Sequence, residues 1–373
     1  MIPAISRLIH NASPDICMDV AAWASQSGYP VKLLHPPVID EVRPYVHDDS
    51  VAQEEFVKHS AALERSQTLV IIEGATIRDA VGFVELPDGQ ICYEGNWWLP
   101  YLQAHPAYKR RLALRRRRLR GNIYSLLCLW GTEFYHWFHD VLPRLETALP
   151  HLPPDTRFLI NSNPKPWQLD SLAAFEIKPE QLEIQPARVY TRAERLWFAT
   201  PVGHTTLASG AIIKRVANRL RHHFVEDNSE EKLRRLHISR RKTDFRRIVN
   251  ENEIIPLLEE RGFETVLSEE LSLREQVKWF SATVAMVGVH GAGLTNLMYC
   301  APGSYIGEIY TGRVFPHYLV TARQLGLSFG RFEADPAAES GIDLQVNPAA
   351  FRKWICGALD SLEQVASTPT EST

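Results

Sequence analysis

Cysteine is scarce in this sequence, and its five cysteines lie far apart along the 373 residues. Their odd number and the lack of any C-x-x-C pair argue against a disulfide framework and a zinc ribbon. No stretch approaches the roughly 18 consecutive apolar residues of a membrane-spanning helix. The opening MIPAISRLIHNASPD also lacks the apolar core of a secretory signal. We therefore predict a cytoplasmic protein that keeps its thiols reduced.

Common nucleotide-binding signatures are missing as well. The sequence has neither a P-loop with its G-K-[ST] ending nor a complete G-x-G-x-x-G, which argues against an ATPase and a dinucleotide-dependent enzyme. It also contains no D-x-D triplet. Because the net charge is only -3, any attraction to polyanions must come from local patches. The length predicts two domains or one bilobal unit.

The strongest local patch is the run KRRLALRRRRLR at 109–120, with eight basic residues in twelve. Such a run could bind anions or an anionic membrane surface. It could equally form the solvated face of an arginine-rich helix. We favour the helix face and keep the anion-binding interpretation open.

The first part of the chain, 1–225, is predicted to be an α/β lobe with a small β-rich entrance. Residues 66–99 alternate short β-branched runs with Gly, Asp-Gly and Pro, which is typical of hairpins. From 121 to 225, apolar runs alternate with helical patterns, which indicates strands and helices wound together.

A second lobe is predicted over 226–345, followed by a C-terminal helix and frayed tail at 346–373. Strands over LHIS, FETVL, TVAMVGV and YIGEIY are separated by helical segments. This alternation predicts a parallel Rossmann-like sheet with right-handed crossovers. The ligands of such a sheet bind beyond the carboxyl ends of its strands.

Arginines follow the first strand of this second lobe, in ISRRKTDFRRIVNENE. Arg240 and Arg241 come directly after the strand, and Arg246, Arg247 and Asn250 lie on the loop before the next helix. Guanidinium forks suit phosphate oxygens because they donate two hydrogen bonds at once. The loop therefore predicts a diphosphate site, with a salt-bridged surface loop as the alternative.

A glycine-rich turn follows the third strand of the same lobe. His290, Gly291 and Gly293 lead directly into a predicted helix that carries Asn296. Glycine allows close backbone approach, and a helix N-terminus favours an anion; a turn kept for packing is the alternative. Glu308, in the next strand, could accept hydrogen bonds from a ribose hydroxyl or pair with an arginine. The sequence leaves both roles open.

The stretch GTEFYHWFHDVLPRLE, 131–146, mixes polar and aromatic residues on one predicted helix. His136 and Asp140 are four residues apart and share a face of that helix. They could form a general base with its orienting partner, because removing a proton from a hydroxyl requires a positioned carboxylate or imidazole. Together with His139 they could instead bind zinc. A helix whose histidines are bonded in the core is the third interpretation.

Taken in order, YHWFHDVLPRLE, ISRRKTDFRRIVNENE and VGVHGAGLTNLMYCAPGSYIGEIY resemble glycosyltransferase family 61, whose bacterial members include capsular polysaccharide biosynthesis proteins. The resemblance extends over about residues 121–310. It implies a GT-B-like α/β architecture, in which two Rossmann-like lobes face a cleft. It also implies inverting transfer from a nucleoside diphosphate sugar, without an obligatory metal or other cofactor.

The resemblance also implies roles for particular residues. Asp140 is the first choice for the catalytic base and His136 the second, both on the acceptor side. On the donor side, the residues that would hold the diphosphate, match family positions or stand near the nucleotide ribose are Arg240, Arg241, Arg247, Asn250, His290, Gly291, Gly293, Asn296 and Glu308.

The expected partners are a nucleotide-sugar donor, with a UDP-sugar as the first choice, and a glycan or lipid-linked glycan acceptor; nucleic acid is not expected. The predicted role lies in capsule, exopolysaccharide or lipopolysaccharide biosynthesis, with peripheral contact at the inner membrane through 109–120. One alternative is a nucleotide-sugar epimerase or hydrolase on the same fold. Another is a non-enzymatic polyanion-binding protein that uses the arginine-rich run.

Overall fold

The computed structural model describes residues 15–46, 49–95, 99–109, 115–205, 207–225, 233–312, 315–338 and 340–367. The middle of the arginine-rich run and the end of the predicted tail lie outside these ranges. The chain divides into two compact units, the first made of Met1–Val38 and Glu64–Thr205 and the second of Ile39–Leu63 and Thr206–Thr373.

Strands and helices alternate along most of the described chain. In chain order the strands are β1 Ile16–Cys17, β2 Val31–His35, β3 Gln67–Glu73, β4 Thr76–Arg78, β5 Phe83–Glu85, β6 Ile91–Cys92, β7 Arg115–Ser125, β8 Arg157–Asn161, β9 Leu182–Gln185, β10 Val189–Ala199, β11 Arg234–Ile238, β12 Phe263–Val266, β13 Thr283–Val289, β14 Tyr305–Tyr310, β15 Ser328–Glu333, β16 Asp335–Pro336 and β17 Leu344–Gln345. The helices are α1 Val20–Gln26, α2 Ile39–Val46, α3 Ser50–Leu63, α4 Leu99–Ala104, α5 Pro106–Lys109, α6 Phe134–His136, α7 Leu142–Ala148, α8 Pro166–Ala174, α9 Gly210–Phe224, α10 Glu251–Glu259, α11 Leu273–Ser281, α12 His317–Gln324 and α13 Pro348–Ser367.

The first unit is built on one mixed sheet. Strands β10, β7, β8 and β9 lie side by side and run parallel, whereas β3 and β4 pair with β10 in the antiparallel direction. The core of this sheet buries Ile72, Ile123 and Leu196 completely. The predicted hairpins are present as β4, β5 and β6, but they extend this sheet instead of forming a separate entrance.

The described end of the arginine-rich run is a strand where we predicted a helix face. Residues 115–120 form the first half of β7, which lies between β10 and β8. Leu119 is buried in the core, whereas Arg116 and Arg118 are exposed. Pairing with β10 and burial of Leu119 outweigh the local helix propensity of the arginines.

The second unit carries a five-stranded sheet in the order β12-β11-β13-β14-β15. Every neighbouring pair in it is parallel, which confirms the predicted α/β class. Local signals end and begin its helices as expected: Gly262 adopts φ +76° after α10, and Ser272 forms a capping box with Glu275 at the start of α11. The C-terminal helix α13 contributes Phe351 and Ile355 to the core.

Two segments that we predicted in the first lobe group with the second unit. Residues 39–63 form α2 and α3, and α2 packs against α12. Helix α9, within the predicted first lobe, buries Ile212, Val216 and Leu220 and contacts α11 and α12. Its apolar face is covered by helices far along the chain, a partnership that a local hydrophobic pattern does not specify.

Within the described ranges, no helix has both the length and the apolar character required to span a membrane. All five cysteines are free thiols, and four of them are buried.

Candidate active site

The predicted helix at 131–146 contains one wide turn. It consists of α6, a π-helical turn over Trp137–Val141, and α7. Such turns occur often at functional sites because they shift side chains out of the regular helical phase. The buried Trp137 anchors the segment by donating from Nε1 to the hydroxyl of Ser171 at 2.8 Å. Pro143 lies just after the π-helical turn, and because it has no N–H it interrupts the helical hydrogen bonds there.

His136 and Asp140 form a hydrogen-bonded pair on this segment. The Nδ1 atom of His136 lies 2.7 Å from Oδ2 of Asp140, and the hydroxyl of Thr205 donates to the same Oδ2 at 2.7 Å. The carbonyl of Thr205 accepts a hydrogen bond from the hydroxyl of Tyr135 at 2.9 Å, which holds Thr205 in place. Because an ionised carboxylate only accepts, the pair places a proton on Nδ1 of His136 and leaves Nε2 for a ligand.

His139 belongs to the core instead. Its ring stacks on that of Tyr135, with centroids 4.4 Å apart, and only 1% of the residue is exposed. Burial lowers the pKa of His139 to about 3, with a smaller contribution from His136. Among the residues that the structure describes, no group of three or more potential ligands is placed to hold a metal ion.

The second unit brings two of the predicted loops together. Counted along the chain, its strands lie in the order 2-1-3-4-5, so the direction of the sheet's winding reverses between β11 and β13. In parallel sheets, ligands bind in the crevice beyond the carboxyl ends at such a switch point. Arg240 follows β11, and His290 and Gly291 follow β13. A Cβ atom on Gly291 would overlap Nη1 of Arg240, so the absence of a side chain there makes room for the guanidinium.

Arg240 and Arg246 form a cationic pair around Phe245. Their guanidinium carbons lie 5.6 and 5.1 Å from the centre of the Phe245 ring. The Nε atom of Arg240 is buried and makes no hydrogen bond. No ion pair joins either guanidinium to a carboxylate of a described residue. Burial lowers the pKa of both side chains, and the charge of Arg246 lowers that of Arg240 further. An anion between them would relieve this unfavourable arrangement.

His290 is the first of four side chains that contact one another in a row. Its Nδ1 lies 2.5 Å from Oε1 of Glu308, and Arg331 donates from Nε to the other oxygen, Oε2, at 3.1 Å. Arg331 also donates to Asp49 at 2.6 Å. Glu308 is completely buried, so both of its oxygens serve protein partners. Of its two predicted roles, the geometry shows the pairing with an arginine, and the carboxylate orients His290.

Four of the predicted donor-side residues make structural contacts. Arg247 donates to Asp343 from Nη2 at 2.7 Å and from Nε at 3.2 Å. Asn250 exchanges two hydrogen bonds with the backbone of Val346. The third is Asn296, whose amide donates to Gln276 at 2.9 Å.

Gly293 is the fourth of these residues. A Cβ atom on it would lie 2.8 Å from Cγ2 of Ile238 and 3.1 Å from the hydroxyl of Ser268. Gly293 lies in the segment Ala292–Tyr299, which is a 3₁₀ helix where we predicted a helix without specifying its type. Residues 294–299 of this helix are all buried.

Arg241, the remaining predicted arginine, is exposed after β11. Burial raises the pKa of Glu251, and the charge of Arg241 opposes this shift.

Several residues of these clusters were missed at the level of sequence. Tyr318, whose hydroxyl donates to the carbonyl of Gly291 at 2.7 Å, and Arg331 come from elements beyond the three motifs. Thr205 lies in a loop without a recognisable pattern. For these residues, the one local signal is the alternation of polar and apolar residues in SFGRFE, which predicts a strand with Arg331 on one of its sides.

Comparison with known proteins relates a part of this chain to glycosyltransferases. A 142-residue segment is 28% identical to the EGF domain-specific O-linked N-acetylglucosamine transferase of Gallus gallus, covering 36% of this chain and 26% of that protein. A 140-residue segment is 32% identical to alpha-1,3-arabinosyltransferase XAT2 of Oryza sativa subsp. japonica, covering 33% and 23%. The matched part thus spans about a quarter of these relatives. The matched segments are therefore similar to parts of glycosyltransferases.

A second comparison matches a family model to part of the chain. The model of the family described as Glycosyltransferase 61 matches residues 134–307. This match confirms the resemblance of the three motifs to glycosyltransferase family 61. The matched range contains the His136–Asp140 pair, the arginine pair and the glycine-rich turn, and it ends one residue before Glu308.

Proposed function

We propose that this protein transfers a sugar from a nucleoside diphosphate sugar to a glycan or lipid-linked glycan acceptor. The expected donor is a UDP-sugar, transfer inverts the anomeric centre, and no metal ion takes part. We further propose a GT-B arrangement of the lobes and a cytoplasmic role in capsule, exopolysaccharide or lipopolysaccharide biosynthesis. The names of the matched relatives, which are an N-acetylglucosamine transferase and an arabinosyltransferase, support sugar transfer.

The observation that carries the proposal is the arginine pair at the switch point of the second unit. Arg240 and Arg246 have no carboxylate partner among the described residues, and they lie where parallel sheets bind ligands. Gly291 leaves room beside Arg240. Partly buried guanidiniums stabilise the charge that develops on a departing diphosphate, which is the task a metal ion performs in other transferases.

The chemistry of the first unit supports the other half of the reaction. An acceptor hydroxyl must lose its proton as it attacks the anomeric carbon. The side chain of His136 is 20% exposed, whereas that of Asp140 is 6% exposed and already binds His136 and Thr205. We therefore propose that Nε2 of His136 accepts the proton and that Asp140 positions the ring. This reverses the order of preference that the resemblance implied.

A thermal-shift panel with UDP, GDP, dTDP, CDP and CMP in EDTA tests the donor site. A ligand that binds only the folded protein, at roughly 100 times its dissociation constant, stabilises it by about 2.7 kcal/mol. We expect a shift with one nucleoside diphosphate, and loss of that shift in Arg240→Ala.

The matched control is Arg352→Gln, which removes a surface arginine of α13 that pairs with Glu260 and should leave the shift intact. A nucleotide shift that persists in Arg240→Ala would contradict the assignment of the site. Conversion of the sugar nucleotide without any acceptor would favour an epimerase or hydrolase.

A further inference from the structure

A row of arginines in the first unit takes no part in the proposed reaction. Arg118 of β7 lies directly opposite Arg192 of β10, and Arg116 lies opposite Tyr190 in the same pair of parallel strands. Residues paired in this way share one face of the sheet. We call Arg116, Arg118 and Arg192 the arginine face. All three are exposed, and none has an ion-pair partner among the described residues.

The arginine face borders a small cavity of about 220 Å³. Arg116 and Arg192 line it together with the backbone turn at Gly74. A Cβ atom on Gly74 would lie 2.9 Å from Nη2 of Arg192, so this guanidinium packs closely over the turn. The volume lies below the roughly 300–1,000 Å³ of pockets that enclose a drug-sized ligand. It suits one small polar group.

The charge of the cavity is positive. Glu85 is the carboxylate in its lining, and Arg78 neutralises it through two contacts of 2.8 Å, from Nε and from Nη2. The charges of Arg116 and Arg192 are therefore not balanced within the cavity. Like charges directly opposite each other in a sheet, as in Arg118 and Arg192, are destabilising. The arrangement has a stability cost that a bound anion would remove.

We propose that the arginine face and its cavity bind a phosphate group. Guanidinium groups donate paired hydrogen bonds to phosphate oxygens, and they keep their charge at every physiological pH. Several guanidiniums around one small cavity match the charge and size of a phosphate or diphosphate. This site lies in a different unit from Arg240 and Arg246 and does not depend on the proposed transferase activity. The phosphate comes either from a soluble compound or from a phospholipid headgroup.

The test compares two variants that each remove one arginine charge. Arg192→Gln alters the arginine face, whereas Arg115→Gln changes an exposed residue of β7 that does not line the cavity. Both are made in the Arg240→Ala background, so that the proposed donor site does not contribute. Inorganic diphosphate is titrated by calorimetry, and binding to vesicles of phosphatidylglycerol is measured with phosphatidylcholine vesicles as the neutral control.

We expect Arg192→Gln to weaken binding by about ten-fold or more, because it removes a charge-assisted hydrogen bond to the phosphate. Arg115→Gln should change it by less than about two-fold, as expected for a screened surface charge. Binding of diphosphate identifies a site for soluble phosphates, and binding to phosphatidylglycerol vesicles alone identifies a headgroup site. Equal losses in both variants, or no binding of either probe, would overturn the proposal.

Folding of the variant provides a second check. Because Arg192→Gln removes the repulsion from Arg118, its melting temperature without phosphate should equal or exceed that of the parent protein. If Arg192→Gln melts lower, Arg116→Gln replaces it in the same titrations, and unaltered binding in that variant counts against the site.

Discussion

Glu308 illustrates how partners decide the role of a residue. Its position in a strand at the carboxyl side of the sheet is equally compatible with binding a ribose and with pairing to an arginine. In the structure, His290 and Arg331 each contact one oxygen of this completely buried carboxylate. A charge buried in this way needs such partners to offset its desolvation. His290, only partly buried, remains the group that can meet a ligand.

The pair of His136 and Asp140 leads to a kinetic prediction. If Asp140 acts by positioning His136, then His136→Gln and Asp140→Asn each lower kcat by about 10²–10⁴-fold. The double variant should lose no more than the worse single variant, because the two residues act as a unit. The nucleotide-induced thermal shift should persist in all three. Initial rates with the donor identified by that shift provide the measurement.

Thr205 supplies the matched control for this pair. Thr205→Ser keeps the hydroxyl that donates to Asp140, whereas Thr205→Val removes it. We expect a lower kcat only in the valine variant. Near-normal activity of His136→Gln, with activity lost in Asp140→Asn, would make Asp140 the base itself.

At the scale of elements, local sequence signals predicted where helices form better than they predicted which type of helix forms. The capping box at Ser272 and the glycine after α10 indicate helix ends that the structure contains. The segment Ala292–Tyr299 was predicted as a helix without its type, and it is a 3₁₀ helix. Its packing supplies the reason, because Gly293 lies against Ile238 and Asn296 is tied to Gln276. These contacts come from β11 and α11, and a local pattern does not contain them.

Gly293→Ala tests this packing. The added methyl group would press against the side chain of Ile238, and overpacking of this kind costs about 1–3 kcal/mol. The matched control is Gly357→Ala in α13, where a Cβ atom meets nothing within 4 Å. That variant should gain about 0.5–1 kcal/mol from helix propensity. Urea denaturation measures both, and equal stability of the two variants would argue against close packing at Gly293.

For the molecule as a whole, the buried histidine of the π-turn segment predicts a pH dependence of stability. The unfolded chain protonates His139 below its ordinary pKa of 6.5, whereas the folded protein does so only near pH 3. The contribution of His139 to stability is therefore complete above pH 6.5 and is lost as the pH falls toward 3. The loss has a slope of up to about 1.4 kcal/mol per pH unit.

His139→Phe isolates this contribution because it keeps an aromatic ring against Tyr135 but cannot bind a proton. The difference in unfolding free energy between wild type and variant, measured by urea denaturation from pH 4 to pH 8, should shrink or reverse toward acid. His222→Gln, at an exposed position of α9, is the control and should leave the pH profile of the wild type unchanged. An identical profile for His139→Phe would contradict the burial of an uncharged imidazole.

The amino-acid sequence by itself determined the alternation of strands and helices in the second unit, the helix that carries His136 and Asp140, and the three motifs of the family. The first two features depend on periodicity and capping, which act over a few neighbouring residues, and the motifs depend on the resemblance to the family. Only the tertiary structure decided that 115–120 is a strand, that α9 groups with the second unit, and that Arg246 rather than Arg247 shares Phe245 with Arg240. Each of these outcomes depends on a partner that is distant in the chain. Residues 115–120 pair with β10, α9 packs against α11, and Arg247 binds Asp343. Long-range pairing and burial outweigh local propensity there, so the sequence identifies the chemical groups and the fold decides which of them meet.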